Sequence, residues 1–155
     1  MELAQAQKIA AEVVKRLSPY CRRIAVAGSI RRKKPMVNDI DIVLIPSDLW
    51  LLHAELLKMG QVKMSGAKII RVMIGIRQVD IYVADEETWA TLLLIRTGSK
   101  ESNIHLASLA KKQGWHLAAS GDGLFNKTGQ RVAGDTEQSI FLALGLPYKE
   151  PEKRK

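Results

Sequence analysis

The chain has 155 residues, of which 46% are hydrophobic, and this fits one globular domain or two small lobes that share a core. Its formal net charge of +8 favours a polyanionic partner such as nucleic acid, because basic side chains that bind phosphates release the counterions condensed on the nucleic acid. A single cysteine, the lack of an apolar run of about 18 residues and the lack of a signal-peptide pattern argue against a disulfide, a membrane span and secretion. We therefore expect an intracellular protein, either cytoplasmic or associated with the nucleoid.

The first half of the sequence predicts alternating helices and strands. Apolar residues recur at helical spacing over residues 2–17, and a helix over residues 48–59 can be capped by Ser47 or Asp48. Short β-rich segments bounded by glycine, proline or charged turns predict strands at residues 24–27, 39–45, 61–65, 68–74 and 78–83. These strands are expected to form a mixed or antiparallel sheet.

The second half predicts two further helices and then a region of short strands. Asp85 is expected to cap a helix over residues 86–95, and Ser99 to begin another that ends near residue 113. Beyond it, short apolar segments alternate with turns, and we expect strands at residues 115–118, 123–125 and 131–132, then a helix at 136–144. The prediction is an α+β fold with a catalytic lobe over residues 1–95 and a smaller lobe over residues 96–155.

Three aspartates stand inside apolar strand patterns, where a carboxylate needs a specific reason. Asp39 and Asp41 would share one face of a strand because side chains alternate along it, with Ile40 and Ile42 turned to the core. Asp80 lies on a later strand that could bring it close to them. Clustered carboxylates repel one another unless a cation neutralises them, and their oxygens suit two Mg²⁺ ions, for which Mn²⁺ can substitute. The tripeptide Asp-Ile-Asp taken alone also fits an ordinary strand with one solvated face.

A glycine and a serine connect a buried strand to these carboxylates. Gly28 permits a tight turn, and the Ser29 hydroxyl and the amides after it can hold a phosphate. Arg31 and Arg32 would place guanidinium groups beside that anion. The combination of Gly28-Ser29, the following Asp39-Ile40-Asp41 and a third aspartate, Asp80, on a later strand is more specific than any one of these motifs alone. The combination predicts nucleotidyl transfer.

With these motifs the sequence resembles the polymerase beta-like nucleotidyltransferase superfamily and, more narrowly, the family X DNA polymerases. The likeness covers nearly the whole chain and rests on residues 26–32, 38–43, 79–81, 97–103, 123–125 and 144–148. It implies a palm lobe in which Asp39 and Asp41 bridge two metal ions. It also implies that Asp80 binds only the catalytic metal and helps to activate the primer 3′-hydroxyl.

The resemblance further implies which residues bind the nucleotide. Ser29 and Arg32 would hold the triphosphate, Gly98 would lie against the incoming sugar and base, and Asn103 would bond to the base. The predicted nucleotide-binding set is Gly28, Ser29, Arg32, Gly98 and Asn103. From their position on a strand near Asp80, Lys68 and Arg71 are expected to contact primer or template phosphates.

Some positions depart from the family pattern. Ile95-Arg96 stand where an aromatic pair is common, and Ala107 stands where an arginine is common, so ribonucleotide discrimination and base-pair checking are expected to differ. We also expect a monomer that lacks both the amino-terminal lyase domain and the carboxy-terminal phosphoesterase domain of some relatives.

The leading hypothesis is a template-directed DNA polymerase that adds deoxynucleotides to a primer 3′-hydroxyl in short-patch or gap-filling repair. One alternative is a nucleotidyltransferase that acts on an RNA end, a protein or a small molecule, but it does not explain residues 97–103 and 123–147. Another is a non-catalytic DNA-binding module, against which the presence of all three aspartates argues.

Overall fold

The structure is a computed structural model that describes residues 1–155. Its α-helices are α1 (Leu3–Leu17), α2 (Gly28–Arg31), α3 (Leu49–Met59), α4 (Trp89–Thr97), α5 (Lys100–Lys112) and α6 (Glu137–Ala143). Its strands are β1 (Cys21–Val26), β2 (Ile40–Pro46), β3 (Gln61–Ser65), β4 (Ile69–Ile74), β5 (Arg77–Val83), β6 (His116–Ala118), β7 (Gly123–Phe125) and β8 (Arg131–Ala133). Short 3₁₀ turns cover Ser18–Tyr20 and Pro151–Lys153. The predicted α+β class is confirmed, and none of the helices is both long enough and apolar enough to cross a membrane.

The larger sheet is mixed and has the strand order β1-β2-β5-β4-β3. Strands β2 and β5 run parallel, whereas every other neighbouring pair in this sheet is antiparallel. Residues opposite one another on neighbouring strands share a face of the sheet, so the register decides which side chains meet. Asp41 pairs with Asp80 across β2 and β5, and Asp80 pairs with Arg71 across β5 and β4.

The two faces of the larger sheet bury different cores. On one face, Ile40 and Ile42 are fully buried with apolar residues of α1 and α3, as predicted. On the other face, Val43 and Tyr82 pack against residues of α4. Because Asp41 lies between Ile40 and Ile42, it belongs to the α4 face, at the end of that second core.

The smaller sheet is an antiparallel β6-β7-β8 meander with a core of its own. Helix α4 links the two parts of the molecule, since Leu93 belongs to the core under the larger sheet and Leu94 to the core of the smaller one. The predicted boundary between residues 95 and 96 therefore falls inside a helix that both cores use. The division of the chain at that residue stays a prediction.

The structure corrects two local predictions. The helix expected from residue 86 begins at Trp89, because the Asp85 carboxylate accepts hydrogen bonds from the amides of Glu87 (3.0 Å) and Thr88 (2.9 Å) and so closes a turn ahead of the helix. Asp39 lies in a bend just before β2 and not on the strand, so the alternation that would place it on the same face as Asp41 does not apply to it.

Two other helix starts agree with the sequence. Asp48 accepts a hydrogen bond from the amide of Leu51 at 2.9 Å and caps α3. Ser99 accepts one from the amide of Ser102 at 3.2 Å and caps α5. Both caps satisfy amides of the first helical turn, which have no partner within the helix, and this is why short polar residues at these points predict a helix start.

Candidate active site

A single helical turn, α2, joins β1 to the segment that leads to β2. It starts at Gly28, whose φ of +61° lies in the left-handed region that favours glycine. A Cβ atom on Gly28 would collide with the Asp41 carboxylate. The missing side chain therefore allows the Gly-Ser turn to lie directly against the second aspartate of the Asp-x-Asp motif.

An open pocket lies beside this turn, and its lining is mostly polar. The cavity measures about 440 Å³, within the range of sites that take small ligands. It is lined by Gly28, Ser29, Arg32, Lys34, Met36, Asn38, Asp39, Asp41 and Arg96. The structure thus brings together five residues that were predicted from the sequence and places four others among them.

Three of the added residues carry polar groups that suit a nucleotide. Lys34 and Asn38 lie in the connection between Ser29 and Asp39, which the sequence marks only as basic. Arg96 stands directly before Thr97-Gly98, and its guanidinium lies 4.2 Å from the centre of the Tyr82 ring. A cation stacked on an aromatic face is held in place, so Arg96 presents a fixed positive charge to the pocket. In the sequence, the only sign of Arg96 is that the Ile95-Arg96 pair differs from the aromatic pair that is common in the family.

The three predicted carboxylates differ in exposure. Asp39 is exposed, Asp41 is partly buried and Asp80 is buried. The pKa of Asp41 is raised to about 6, first by burial and then by the negative charges of Asp80 and Asp39. The positive charge of Arg96 and a long hydrogen bond from the Tyr82 hydroxyl (3.5 Å) act in the opposite direction. Asp41 is therefore where the three negative charges oppose one another.

Asp80 has protein partners on both carboxylate oxygens. Arg71 donates from Nε to Oδ1 at 2.8 Å and from Nη2 to Oδ2 at 3.4 Å. Gln78 donates to Oδ2 at 3.2 Å. The guanidinium that was predicted to contact DNA is therefore engaged by Asp80, whereas Lys68 is exposed to solvent.

The chemistry of the carboxylate donors suits a divalent cation. Asp41 and Asp80 are cross-strand neighbours, and Asp39 lies two residues before Asp41, so their oxygens could share hard cations such as Mg²⁺. The pKa of Asp41 is raised first by burial and then by the neighbouring negative charges, and a bound cation would offset that repulsion. No three acidic, histidine or cysteine side chains are already arranged as a metal-binding group. A metal at these aspartates therefore stays a prediction.

The remaining predicted nucleotide-binding residues lie at the junction of α4 and α5. Gly98 has φ +72°, and a Cβ atom on it would stand 2.9 Å from Nη1 of Arg32, which donates to the carbonyl of Thr97. The structure thus brings Gly98 and Arg32 together. Asn103 donates to the carbonyl of Ile95 at 2.8 Å, and its Oδ1 is buried without a partner. Asn103 is not among the residues that line the pocket.

Arg31 has a different role from the one expected beside an anion. Its guanidinium donates to both oxygens of Glu137 at 2.7 Å and to the Thr97 hydroxyl at 2.8 Å. Glu137 also accepts from Arg154 at 2.9 Å. Burial alone would raise the pKa of Glu137, but the hydrogen bond from Arg31 and the charge of Arg154 outweigh it and lower that pKa. These three residues, which we call the Arg–Glu–Arg triad, tie α2 to the C-terminal part of the chain.

Comparison with known proteins tests the predicted resemblance. A family model described as DNA polymerase beta thumb matches residues 92–155. A protein named DNA polymerase/3'-5' exonuclease PolX, from Bacillus subtilis, is 28% identical over 98% of this chain. A Repair DNA polymerase X from African swine fever virus is 29% identical over 86% of this chain and 82% of its own length. These matches confirm the predicted resemblance to family X of the DNA polymerases.

The fold of the chain agrees with a solved structure. Leishmania infantum polymerase beta, in a ternary P/T complex, matches 100% of this chain and 76% of its own with a TM-score of 0.83 at 22% identity. The chain spans only 28% of the length of the Bacillus subtilis relative. The activity of such a longer protein is therefore a proposal for this chain.

Proposed function

We propose that this chain is a template-directed DNA polymerase that transfers deoxynucleotides to a primer 3′-hydroxyl. The observation that carries the proposal is the contact between the Gly28-Ser29 turn and Asp41 in one polar pocket, with Asp80 at the paired position of the next strand. This arrangement sets an anion-binding turn beside a carboxylate pair, which nucleotidyl transfer needs. Under this proposal, residues 1–95 form the catalytic palm and residues 96–155 the lobe that clasps nucleotide and DNA.

The anion-binding side of the pocket would hold the triphosphate. Gly28 and Ser29 of α2 and the cationic residues Arg32 and Lys34 line the same cavity, so that hydroxyl, amide and cationic groups are available to phosphates there. Arg96 adds a further positive charge to this lining. The Gly28 turn leaves space for the phosphates to approach the backbone closely. Such groups fix the α-phosphate in place before the reaction and so reduce the entropy cost of the chemical step.

Asp39 and Asp41, which line the pocket, and Asp80, which pairs with Asp41 across the strands, would hold two Mg²⁺ ions, for which Mn²⁺ can substitute. When bound, the ions would neutralise the triphosphate and favour ionisation of the primer 3′-hydroxyl. Asp80 would orient that hydroxyl, which attacks the α-phosphate while pyrophosphate leaves. In this scheme the residues of the chain contribute positioning and charge neutralisation, and none of them forms a covalent intermediate.

The proposed partners follow from the charge of the chain and from the names of its relatives. The net charge of +8 and exposed lysines such as Lys68 suit a DNA primer-template. The viral relative is named a repair DNA polymerase, which supports a role in DNA repair, and we propose short gap-filling synthesis with deoxynucleoside triphosphates. We further propose that the chain works as a monomer close to DNA inside the cell.

Primer extension tests this proposal directly. We expect the wild type to insert the templated nucleotide on open, gapped or nicked DNA with Mg²⁺ or Mn²⁺. Asp80→Ala should reduce the rate by about 10²–10³-fold, the usual effect of losing a key electrostatic group. Glu86→Gln, at an exposed position away from the pocket, is the matched control. Insertion that ignores the template base would favour a different acceptor, and DNA binding without insertion in either metal would favour a binding module.

Gly28→Ala tests whether the turn must lie against Asp41. The φ of +61° alone should cost about 1–2 kcal/mol of stability, and the collision with the Asp41 carboxylate should displace that group and slow insertion by about 100-fold. Gly75→Ala is the matched control, because Gly75 has φ +62° but no neighbouring atom within 4 Å. Urea unfolding and single-nucleotide insertion provide the measurements. Equal insertion rates for the two variants would contradict the proposed role of the turn.

A further inference from the structure

A row of three charged side chains crosses the larger sheet at the pocket. Asp41 on β2, Asp80 on β5 and Arg71 on β4 occupy successive paired positions, so all three lie on the same face. Asp80 stands in the middle of the row, between a carboxylate that repels it and a guanidinium that attracts it. The orientation of the Asp80 carboxylate therefore depends on its interactions with these two neighbours.

The contacts show that Arg71 holds Asp80 by geometry as well as by charge. Its Nε lies 2.8 Å from Oδ1 and its Nη2 lies 3.4 Å from Oδ2, so the planar guanidinium addresses both oxygens of the planar carboxylate. Gln78, two residues before Asp80 on the same strand, adds a third contact at 3.2 Å. The side chain of Asp80 is only 7% exposed, so water cannot replace these donors. The carboxylate therefore has a single well-supported orientation.

We propose that Arg71 is a positioning residue for Asp80. By donating to both oxygens, Arg71 fixes the plane of the Asp80 carboxylate. It thereby holds this carboxylate in one orientation beside Asp41, its neighbour on the paired strand. This inference rests on the proposed function, in which Asp80 orients the primer 3′-hydroxyl. It differs from the expectation that Arg71 contacts DNA phosphates, because Nε and Nη2 of the guanidinium are directed at Asp80.

The first experiment does not depend on polymerase activity. The side-chain carboxyl ¹³C resonance of Asp80, assigned with Asp80→Asn, is compared in the metal-free wild type, Arg71→Lys, Arg71→Leu and Lys63→Gln. Lys63 is an exposed lysine on β3 with no ion pair, so Lys63→Gln removes one positive charge without touching Asp80. We expect Arg71→Leu to move the Asp80 resonance, Arg71→Lys to move it less and Lys63→Gln to leave it unchanged. An Asp80 resonance that is the same in Arg71→Leu and the wild type would overturn the inference.

The second experiment separates positioning from DNA contact. Arg71→Leu should lower kcat by about 10–100-fold, as is usual for partners that orient metal ligands, with the KM for DNA and its salt dependence unchanged. Arg71→Lys should recover part of the loss, because an ammonium supplies the charge without the planar fork. A raised KM for DNA and a shallower salt dependence, with kcat preserved, would overturn the inference in favour of a phosphate contact.

The two experiments also distinguish a failure of the Arg71 inference from a failure of the proposed polymerase function. If the wild type extends no primer, the proposed function is wrong, and the NMR comparison still decides whether Arg71 orients Asp80. If the wild type is active and the Arg71 variants match Lys63→Gln in both experiments, only the inference is wrong. Circular dichroism at the assay temperature checks that Arg71→Leu is folded, and Arg71→Lys decides the question if it is not.

Discussion

Asp41→Asn is expected to abolish nucleotide insertion and, at the same time, to make the metal-free protein more stable at neutral pH. The two effects have one cause. Burial and the charges of Asp80 and Asp39 raise the pKa of Asp41 from 3.8 to about 6, so its ionised form is disfavoured in the folded protein. Asparagine has nearly the same shape and cannot ionise, so it removes the repulsion together with a proposed metal ligand.

The sign of the pH dependence follows from linkage. Between pH 3.8 and about 6 the folded state binds more protons at Asp41 than the unfolded state does, so stability falls as pH rises through this window. Above pH 6 the cost is fully present, at about 2–3 kcal/mol before screening by solvent. Asp41→Asn should recover much of it at pH 7.5 and almost none at pH 3.5.

Urea unfolding in EDTA at both pH values measures this prediction. Asp39→Asn is the comparison for stability, since Asp39 is exposed and its replacement should change the free energy of unfolding far less. Added Mg²⁺ should stabilise the wild type more than Asp41→Asn, because a ligand that binds only the folded state stabilises it by mass action. An Asp41→Asn protein that is less stable than the wild type at pH 7.5 would contradict this account of the pocket.

Glu137→Gln is expected to destabilise the protein by about 3–5 kcal/mol, the usual cost of removing one partner from a buried ion pair. Glu137 is the only acidic member of the Arg–Glu–Arg triad, and the side chain of Arg154 is only 1% exposed. A neutral amide would leave that buried guanidinium without a counter-charge. Arg31 would also lose the carboxylate that anchors it to α6.

The pH dependence of this effect is opposite to that of Asp41. The pKa of Glu137 is lowered in the folded protein, so its stabilising contribution is present above the ordinary glutamate pKa and is lost as pH falls through the lowered value. The difference in unfolding free energy between the wild type and Glu137→Gln should therefore be largest near neutral pH and smaller in acid.

Urea unfolding of Glu137→Gln at neutral and acid pH tests the prediction, with Glu86→Gln as the control for loss of an exposed acidic charge. A double variant, Glu137→Leu with Arg154→Met, should be more stable than Glu137→Leu alone, because it leaves no unpaired charge at Arg154. A loss below about 1 kcal/mol for Glu137→Gln would show that the triad behaves like a surface ion pair.

Local signals in the sequence predicted most of the helices, the caps of α3 and α5, and the main motifs. Helical periodicity located α1, and short polar residues located the starts of α3 and α5, because these features depend on residues within about one helical turn. One helix start was predicted wrongly. The Asp85 carboxylate accepts hydrogen bonds from the amides of Glu87 and Thr88 in a local turn, so the helix begins at Trp89 and not at residue 86. The family X resemblance and the α+β class, both predicted from the sequence, are confirmed.

By itself, then, the sequence determined the fold class, the resemblance to family X, and the Gly-Ser and Asp-x-Asp motifs with the third aspartate. Only the tertiary structure decided which of their side chains meet. The parallel register of β2 and β5 set Asp80 beside Asp41, and the β4 register gave Asp80 its partner Arg71. Likewise, Arg31 pairs with Glu137, 106 residues away, and not with an anion in the pocket. Strand order and long-range ion pairs depend on how distant segments pack, and no local pattern encodes that packing.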